Sequence, residues 1–398
     1  MRTILTNARV VLPESDIQGS VVIDDGCIEE VTARNYSDGI NLHGAILSPG
    51  MIDIHTDYLE RELAPRPASR FPLDLALHMV DMRALHCGLT TIVSAARIST
   101  EKDGPMGSWR GDGLQLAKQF EALIPALRAH HMIHLRWATN FEPVEPILDE
   151  LLQLKSIGNL VFNDDTPGER QFPDIEGMIR QNALRQNISI EDARQRMQER
   201  IDRAKATNNR MSVKNYLAGR LPLGSHDDTT VDHVVEAFES GCSMSEMPCT
   251  IEAARKAHEL GMMVCMGAPN YYRGGSHCGN LSCPEALQEG LVDILCSDYH
   301  FPSLLACALR MVEEGMSLSS AMRLLTLNPA RHLRMDQYVG SIEEGKRADL
   351  VAFHPRSGYA DVAQVWVRGI SQLQVGEPAP SAMRDDTLAS SREEAVVA

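Results

Sequence analysis

Apolar residues follow two patterns along this chain. Between about residues 51 and 335, short apolar runs alternate with stretches of helical period, the pattern of repeated strand–helix units. Eight runs read as strands: "MIDIH" (51–55), "LTTIVSA" (89–95), "MIHLRW" (132–137), "NLVFND" (159–164), "PLGSH" (222–226), "MSEMP" (244–248), "MMVCMGA" (262–268) and "DILCSD" (293–298). Eight such units predict an α/β fold, a (β/α)8 TIM-like barrel over residues 51–339. Toward both ends the pattern changes. Residues 1–50 ("TILTNARVV", "GSVVIDDGCIEEV", "AILSPG") and 340–376 ("GSIEEGKRADLVAF", "QVWVRGI") are rich in β-branched residues punctuated by Gly, Asp and Pro. They predict one small β-sandwich domain built from both termini. Residues 377–398 offer little to bury and predict a mobile tail.

The spacing widens between the fourth and fifth runs. Residues 174–220 include "SIEDARQRMQERIDRAKA", where Ser189 and Asp192 resemble a capping box that opens a charged helix. The charge density reads as a solvated helical excursion. A lid or a subunit contact is the alternative.

The polar residues that end the apolar runs carry the chemistry. His55, Asp164, His226, Glu246 and Asp298 each close a run, and in such barrels the C-terminal strand ends build the active site. His55 and Asp57 are two residues apart, so on a strand they share a face and converge. Imidazole and carboxylate on rigid elements suit a divalent metal. His226 in "LGSHDDTT" and Asp298 in "CSDYH" add two further ligands. A metal-bound water needs a nearby carboxylate to take its proton, and Asp298 is assigned that role of general base.

Composition narrows the setting. The chain has 398 residues with 54 acids against 38 bases, a formal net charge of -16, which argues against nucleic acid or an anionic membrane as partner. A small anionic substrate is still accommodated, because screening beyond about 8 Å lets a local arginine cluster act alone. Nine scattered cysteines without a CxxC pair fit a reducing cytoplasm, and no run approaches the ~18 apolar residues of a membrane span. The pattern leaves oligomeric state open, with pairing through the outer helices as the expected route to a homo-oligomer.

Several longer stretches carry a resemblance. "PGMIDIH", an eighth-run aspartate and "NPARHLRMDQYVGSIEEGKRADLVAF" resemble the amidohydrolase superfamily, over the barrel and the flanking β-domain. Within it, "HTDYLERELAPRP", "PGERQF", "LGSHDDTT", "GAPNYYRGGSHCGN" and "CSDYHFPSLL" resemble one branch, the ribose 1-methylphosphonate 5-triphosphate diphosphatases of phosphonate metabolism. The resemblance implies a metal-dependent hydrolase that releases pyrophosphate, with cations neutralising the equatorial phosphate oxygens. Arg66, Arg170 and Arg273 are then the candidate phosphate contacts. Gly274 and Gly275 let backbone N–H groups approach a phosphate, and His277 donates to a phosphate or protonates the leaving group.

Two positions depart from that branch. Ala138 stands where the branch carries a glutamate, and Asp165 where it carries a histidine. The implied site holds one firm metal on His55, Asp57, His226 and Asp298, with Glu246 near a second position and Asp165 as an oxygen donor. Zinc heads the candidates, and manganese or iron also fit N/O ligands. The departures keep open an amidohydrolase or deaminase that cleaves a C–N bond on the same scaffold. A non-catalytic scaffold barrel is the third reading, opposed by the intact ligand set.

Overall fold

The computed structural model describes residues 2–66, 69–98, 109–140, 142, 144–164, 166–168, 170, 174–186, 188–276 and 279–376. All eight apolar runs form strands. In chain order the barrel strands are Met51–Thr56, Leu89–Ile98, His130–Ala138, Ile157–Asn163, Leu223–His226, Met244–Glu246, Met263–Gly267 and Ile294–Cys296. Each pairs in parallel with its sequence neighbour. A parallel bridge between Thr56 and Asp298 then joins first strand to last. Ile52, Ile54, Val93, Val161, Met244, Cys265, Ile294 and Cys296 form one buried cluster. A larger one, including Met51, Leu89, Leu135, Trp137 and Phe162, meets Leu77, Val80, Phe120 and Leu304 of the helices. Such strands are buried on both faces, which is why they read as continuous apolar runs rather than alternating ones.

The two ends of the chain build a second sheet. Its order runs Ile370–Gln374, Tyr359–Val367, Leu350–Arg356, Ile46–Pro49, Thr3–Val11, Asp16–Asp24, Cys27–Thr32, with the short Ile40–Asn41 also paired to Thr3–Val11. The seam between the termini is the antiparallel pair of Leu350–Arg356 with Ile46–Pro49. Leu5, Val10, Val21 and Ile28 from one end share a core with Leu350, Ala352 and Trp366 from the other. Val351, Phe353, Val365 and Val367 instead join the barrel's helical shell, so the sheet is fastened to the barrel by apolar burial.

In the insertion, helices Ile175–Gln186 and Ile190–Ala206 lie together over a small core of Ile179, Ala183, Ala193, Met197 and Ile201. Ser189 caps the second helix, its Oγ accepting from the Asp192 amide at 3.0 Å. The expected tail, 377–398, lies outside the described residues.

One buried carboxylate sets the start of the third barrel strand, which later supplies side chains to the mouth. Asp81, on helix Leu73–His86 and 1% exposed, accepts from the amides of Arg128 (3.1 Å) and Ala129 (2.9 Å) and from His131 Nε2 (3.0 Å). Burial pushes its pKa up, but the His131 and backbone hydrogen bonds outweigh that and hold it below the usual value. A lowered carboxylate contributes stability above its unfolded pKa and loses it as pH falls through the folded value. Asp81→Asn is expected to cost about 3 kcal/mol at neutral pH, read as a shift in the urea midpoint. The gap to wild type should narrow as pH drops below about 4.

Candidate active site

Closure of the barrel builds the site. The Asp57 amide donates to the Asp298 carbonyl (2.7 Å), and the Asp298 amide donates to the His55 carbonyl (3.1 Å). The backbone of Asp298 is thus consumed by the seam, and its side chain is left to face the mouth. Asp298 achieves this at φ 55, and Asp227 (φ 59) and Met247 (φ 54) adopt the same left-handed backbone just beyond the fifth and sixth strands. Each still donates to the neighbouring strand: Asp227 N to Glu246 O (2.9 Å), Met247 N to Cys265 O (2.8 Å). Non-glycine residues pay of order 1 kcal/mol or more for that geometry, and such strain gathers at functional sites.

Imidazoles and carboxylates converge there. One donor atom each from His55, Asp57 and Asp298 lies within 4.8 Å of the others, and so do donors from His55, His134 and Glu246. His55 Nε2 is 3.6 Å from Asp57 Oδ1, and His226 Nε2 is 3.2 Å from Asp227 Oδ2. The two rings stack with centroids 5.7 Å apart. Below them lies Glu246, fully buried. Its Oε2 accepts from His226 Nδ1 at 2.7 Å, and His55 Nδ1 is 3.0 Å from the same oxygen, in ion-pair contact but off the hydrogen-bond axis. His134 Nδ1 donates to the Ile54 carbonyl (3.1 Å), and Glu246 Oε1 and His134 Nε2 are buried without a hydrogen-bond partner.

Electrostatics follow from that crowding. Burial alone would raise Asp57, but the His55 hydrogen bond and the Arg136 charge pull its pKa far down. Burial would likewise neutralise His55, yet Glu246 and Asp57 hold its proton well above the ordinary range. Burial drives His134 down to about 3, and raises Asp298 and Asp227.

The mouth opens into a cavity of about 340 Å³ lined by His55, Asp57, His226 and Asp298, with Arg136, Asp227, Asn270, Arg273 and Tyr299 among its walls. Four of the expected ligands therefore line one cavity, and three of them, His55, Asp57 and Asp298, bring donor atoms within 4.8 Å of one another. Glu246 is beneath the cavity rather than on its wall. Asp165 and His277 lie outside the described residues. Ala138 shares a strand face with His134 and Arg136 but does not reach the cavity, and it joins the apolar shell instead.

The expected phosphate contacts divide. Arg273 lines the cavity, its NH1 donating to Tyr299 Oη at 3.3 Å. Arg66 is exposed and does not line it. Arg170 is buried, donating to Asp228 Oδ1 (2.7 Å) and to the His226 carbonyl (3.0 Å), so it props the fifth strand end instead of facing the cavity. Gly275 lines the cavity, but its amide donates to Asn270 O (2.9 Å) and that of Gly274 to Tyr271 O (3.0 Å). Both close helix Ala268–Arg273, with Gly274 at φ 81, and neither N–H faces a ligand.

Sequence reasoning passed over Arg136, whose NH1 is 3.4 Å from Asp57 Oδ1, along with His134 and Asp227. The signal was present for two of them: His134 and Arg136 obey the same two-residue spacing as His55 and Asp57.

The donor set fits a divalent ion. His55, Asp57 and Asp298 bring imidazole nitrogen and carboxylate oxygen together, His226 lines the same cavity, and the crowded carboxylates there call for positive charge.

An eight-stranded parallel barrel joined to a terminal sheet, with this cluster at its C-terminal mouth, defines a class, and comparison bears it out: the chain belongs to the amidohydrolase family. The family's sequence pattern matches residues 182–375. Solved structures of an amidohydrolase (TM-score 0.62, 14% identity, 95% of this chain and 100% of that one) and of N-acetylglucosamine-6-phosphate deacetylase from Pasteurella multocida (0.59, 14%, 94% and 100%) share the fold. Over 382 residues the chain is 34% identical to alpha-D-ribose 1-methylphosphonate 5-triphosphate diphosphatase of Escherichia coli (strain K12), covering 92% of this chain and 99% of that enzyme. A shorter match, 25% identity over 159 residues, covers 40% of this chain and 23% of adenine deaminase 2 of Jannaschia sp. (strain CCS1). The protein is a metal-dependent hydrolase. Among the described residues, no helix is long and apolar enough to cross a membrane.

The placement of Arg170 makes a prediction. Arg170→Ala takes the cation from buried Asp228, leaving it the Ser225 and Ser245 hydroxyls alone, and should cost about 3 kcal/mol of stability, read in thermal or urea unfolding. A stable variant with only a raised KM would return Arg170 to substrate binding.

Proposed function

We propose that this protein hydrolyses a phosphoric anhydride of a small phosphorylated sugar, alpha-D-ribose 1-methylphosphonate 5-triphosphate or a close analogue, releasing pyrophosphate. The observation that carries the reading is the cavity, in which a metal-type cluster and two arginines converge. Near-full-length likeness to the diphosphatase supports the substrate class. His55, Asp57, His226 and Asp298 would hold the ion, with zinc favoured by the imidazole and carboxylate donors and manganese or iron accommodated. When bound, the metal supplies Lewis acidity that makes water a nucleophile near neutral pH.

The chain's own residues do the rest. Asp298, its pKa raised by burial, takes the proton of the attacking water. Arg136 and Arg273 bring cationic charge to the same space as the substrate's phosphate oxygens, where they are worth most in a site shielded from water. The substrate is a small cytoplasmic anion, consistent with the reduced cysteines expected from the sequence.

A second reading, hydrolysis of a C–N bond, draws on specific positions. Ala138 offers no ligand, and Arg170, Gly274 and Gly275 are occupied by the fold. The partial likeness to adenine deaminase 2 points the same way.

Phosphorus NMR on metal-loaded protein separates the two. Pyrophosphate appearing from the ribose triphosphate at an enzymatic rate is the expected result; an unchanged spectrum with fully metallated protein sinks the phosphoric anhydride reading and favours C–N substrates. In the same assay Asp298→Asn should keep its fold, because the backbone and not the side chain closes the barrel, and lose at least about 100-fold in turnover. An active Asn variant would remove Asp298 as base.

A further inference from the structure

We infer that Glu246 is not a metal ligand but a positioning carboxylate, which holds His226 from below by a hydrogen bond from Nδ1 and draws His55 Nδ1 by charge, so that both rings turn Nε2 toward the cavity. The inference rests on the metal reading above and assigns Glu246 a different task from that of the residues lining the cavity.

Three observations lead there. Glu246 ends the sixth strand fully buried and off the cavity wall, whereas His55, Asp57, His226 and Asp298 are all on it. One oxygen, Oε2, faces two imidazoles at once: His226 Nδ1 at 2.7 Å and His55 Nδ1 at 3.0 Å. On their far sides the same rings present Nε2 to mouth carboxylates, Asp57 at 3.6 Å and Asp227 at 3.2 Å. His226 Nδ1, donating its proton downward, leaves Nε2 with its lone pair upward, the tautomer a metal requires, while His55 Nδ1 is in ion-pair contact with the same oxygen.

The buried trio of His55, His134 and Glu246 could itself be taken for an ion site, since its donors lie within 4.8 Å. The ring atom of His134 nearest Glu246, Nδ1 at 3.8 Å from Oε1, carries the proton that bonds the Ile54 carbonyl, which leaves Nε2, buried without a hydrogen-bond partner, as the one His134 atom able to ligate. An ion there would also displace the short contact from His226.

Carboxylate support beneath metal-binding histidines is commonly worth about 10–100-fold in metal affinity. Glu246→Gln keeps an acceptor and loses the charge; Glu246→Leu removes both. The expected series is therefore graded, with zinc affinity measured by chelator competition falling about 10-fold and then about 100-fold. Elemental analysis should find one ion per chain in wild type and in both saturated variants. Two ions in wild type, or one fewer after substitution, would mean that Glu246 ligates, and equal affinity in all three proteins would leave it without a positioning role. If the variants do not fold, nitrogen NMR of zinc-loaded, histidine-labelled wild type decides: two rings bound through Nε2 with protonated Nδ1 are expected, and a cavity histidine bound through Nδ1 overturns the inference. A wild type that binds no zinc at all fails the metal reading first, and this inference with it, a result separable from the others because it appears before any substitution.

Discussion

A barrel must close, and closure here fixes the chemistry. Thr56 and Asp298, 242 positions apart, meet at the seam. The entropic cost of a loop grows only slowly with its length, so joining such distant strands is affordable once the intervening strands have paired in order. Because the seam uses the backbone amide and carbonyl of Asp298, its carboxyl is delivered beside His55 and Asp57 as a consequence of folding. The positive φ of Asp298, Asp227 and Met247 repeats this solution at three strand ends. At each, the chain leaves the ladder by a sharp turn while keeping the next hydrogen bond.

The second constraint is charge. Asp57, Asp227 and Asp298 line the cavity and Glu246 lies beneath it, against Arg136 and Arg273. Buried carboxylates without compensation are costly, and the protein alone compensates by holding a proton on His55 and by raising Asp227 and Asp298 toward their neutral forms. A divalent ion supplies the same compensation more fully. The acidity that would repel a phosphorylated substrate therefore becomes a means of attracting one, since an ion seated among the acids reverses the sign of the local field.

The barrel was legible because strands buried on both faces have to be apolar throughout, and their ends have to be polar where the chain reaches the cavity. His55, Asp57, His226 and Asp298 stood out for that reason. The arginines were not legible in the same way. A sequence shows that Arg170 carries a charge but not that Asp228 and the His226 carbonyl will meet it inside the fold. Gly274 and Gly275 illustrate a related gap: two glycines after a short helix serve equally as an anion cradle or as a helix stop, and only the destination of their N–H groups decides. His134 and Arg136 were missed although the two-residue spacing was visible, because "MIHLRW" lacks the run of acids that draws attention to "DIHTDYLE".

The cations also bear on which bond is broken. Activating water with a metal and a carboxylate serves phosphoric anhydrides and C–N bonds alike, so His55, Asp57, His226 and Asp298 do not discriminate between them. Arginines do, because only the phosphorus reaction must accommodate charge spread over several equatorial oxygens. Arg273 stands at the rim against the neutral hydroxyl of Tyr299, and among the described residues no carboxylate is within ion-pair distance of it. A cation held at a cavity mouth beside a neutral partner keeps its full attraction for an anion, whereas one already paired, as Arg170 is, has spent it. Arg273 therefore weighs toward a phosphorylated substrate even after Arg170 and the glycine amides are set aside.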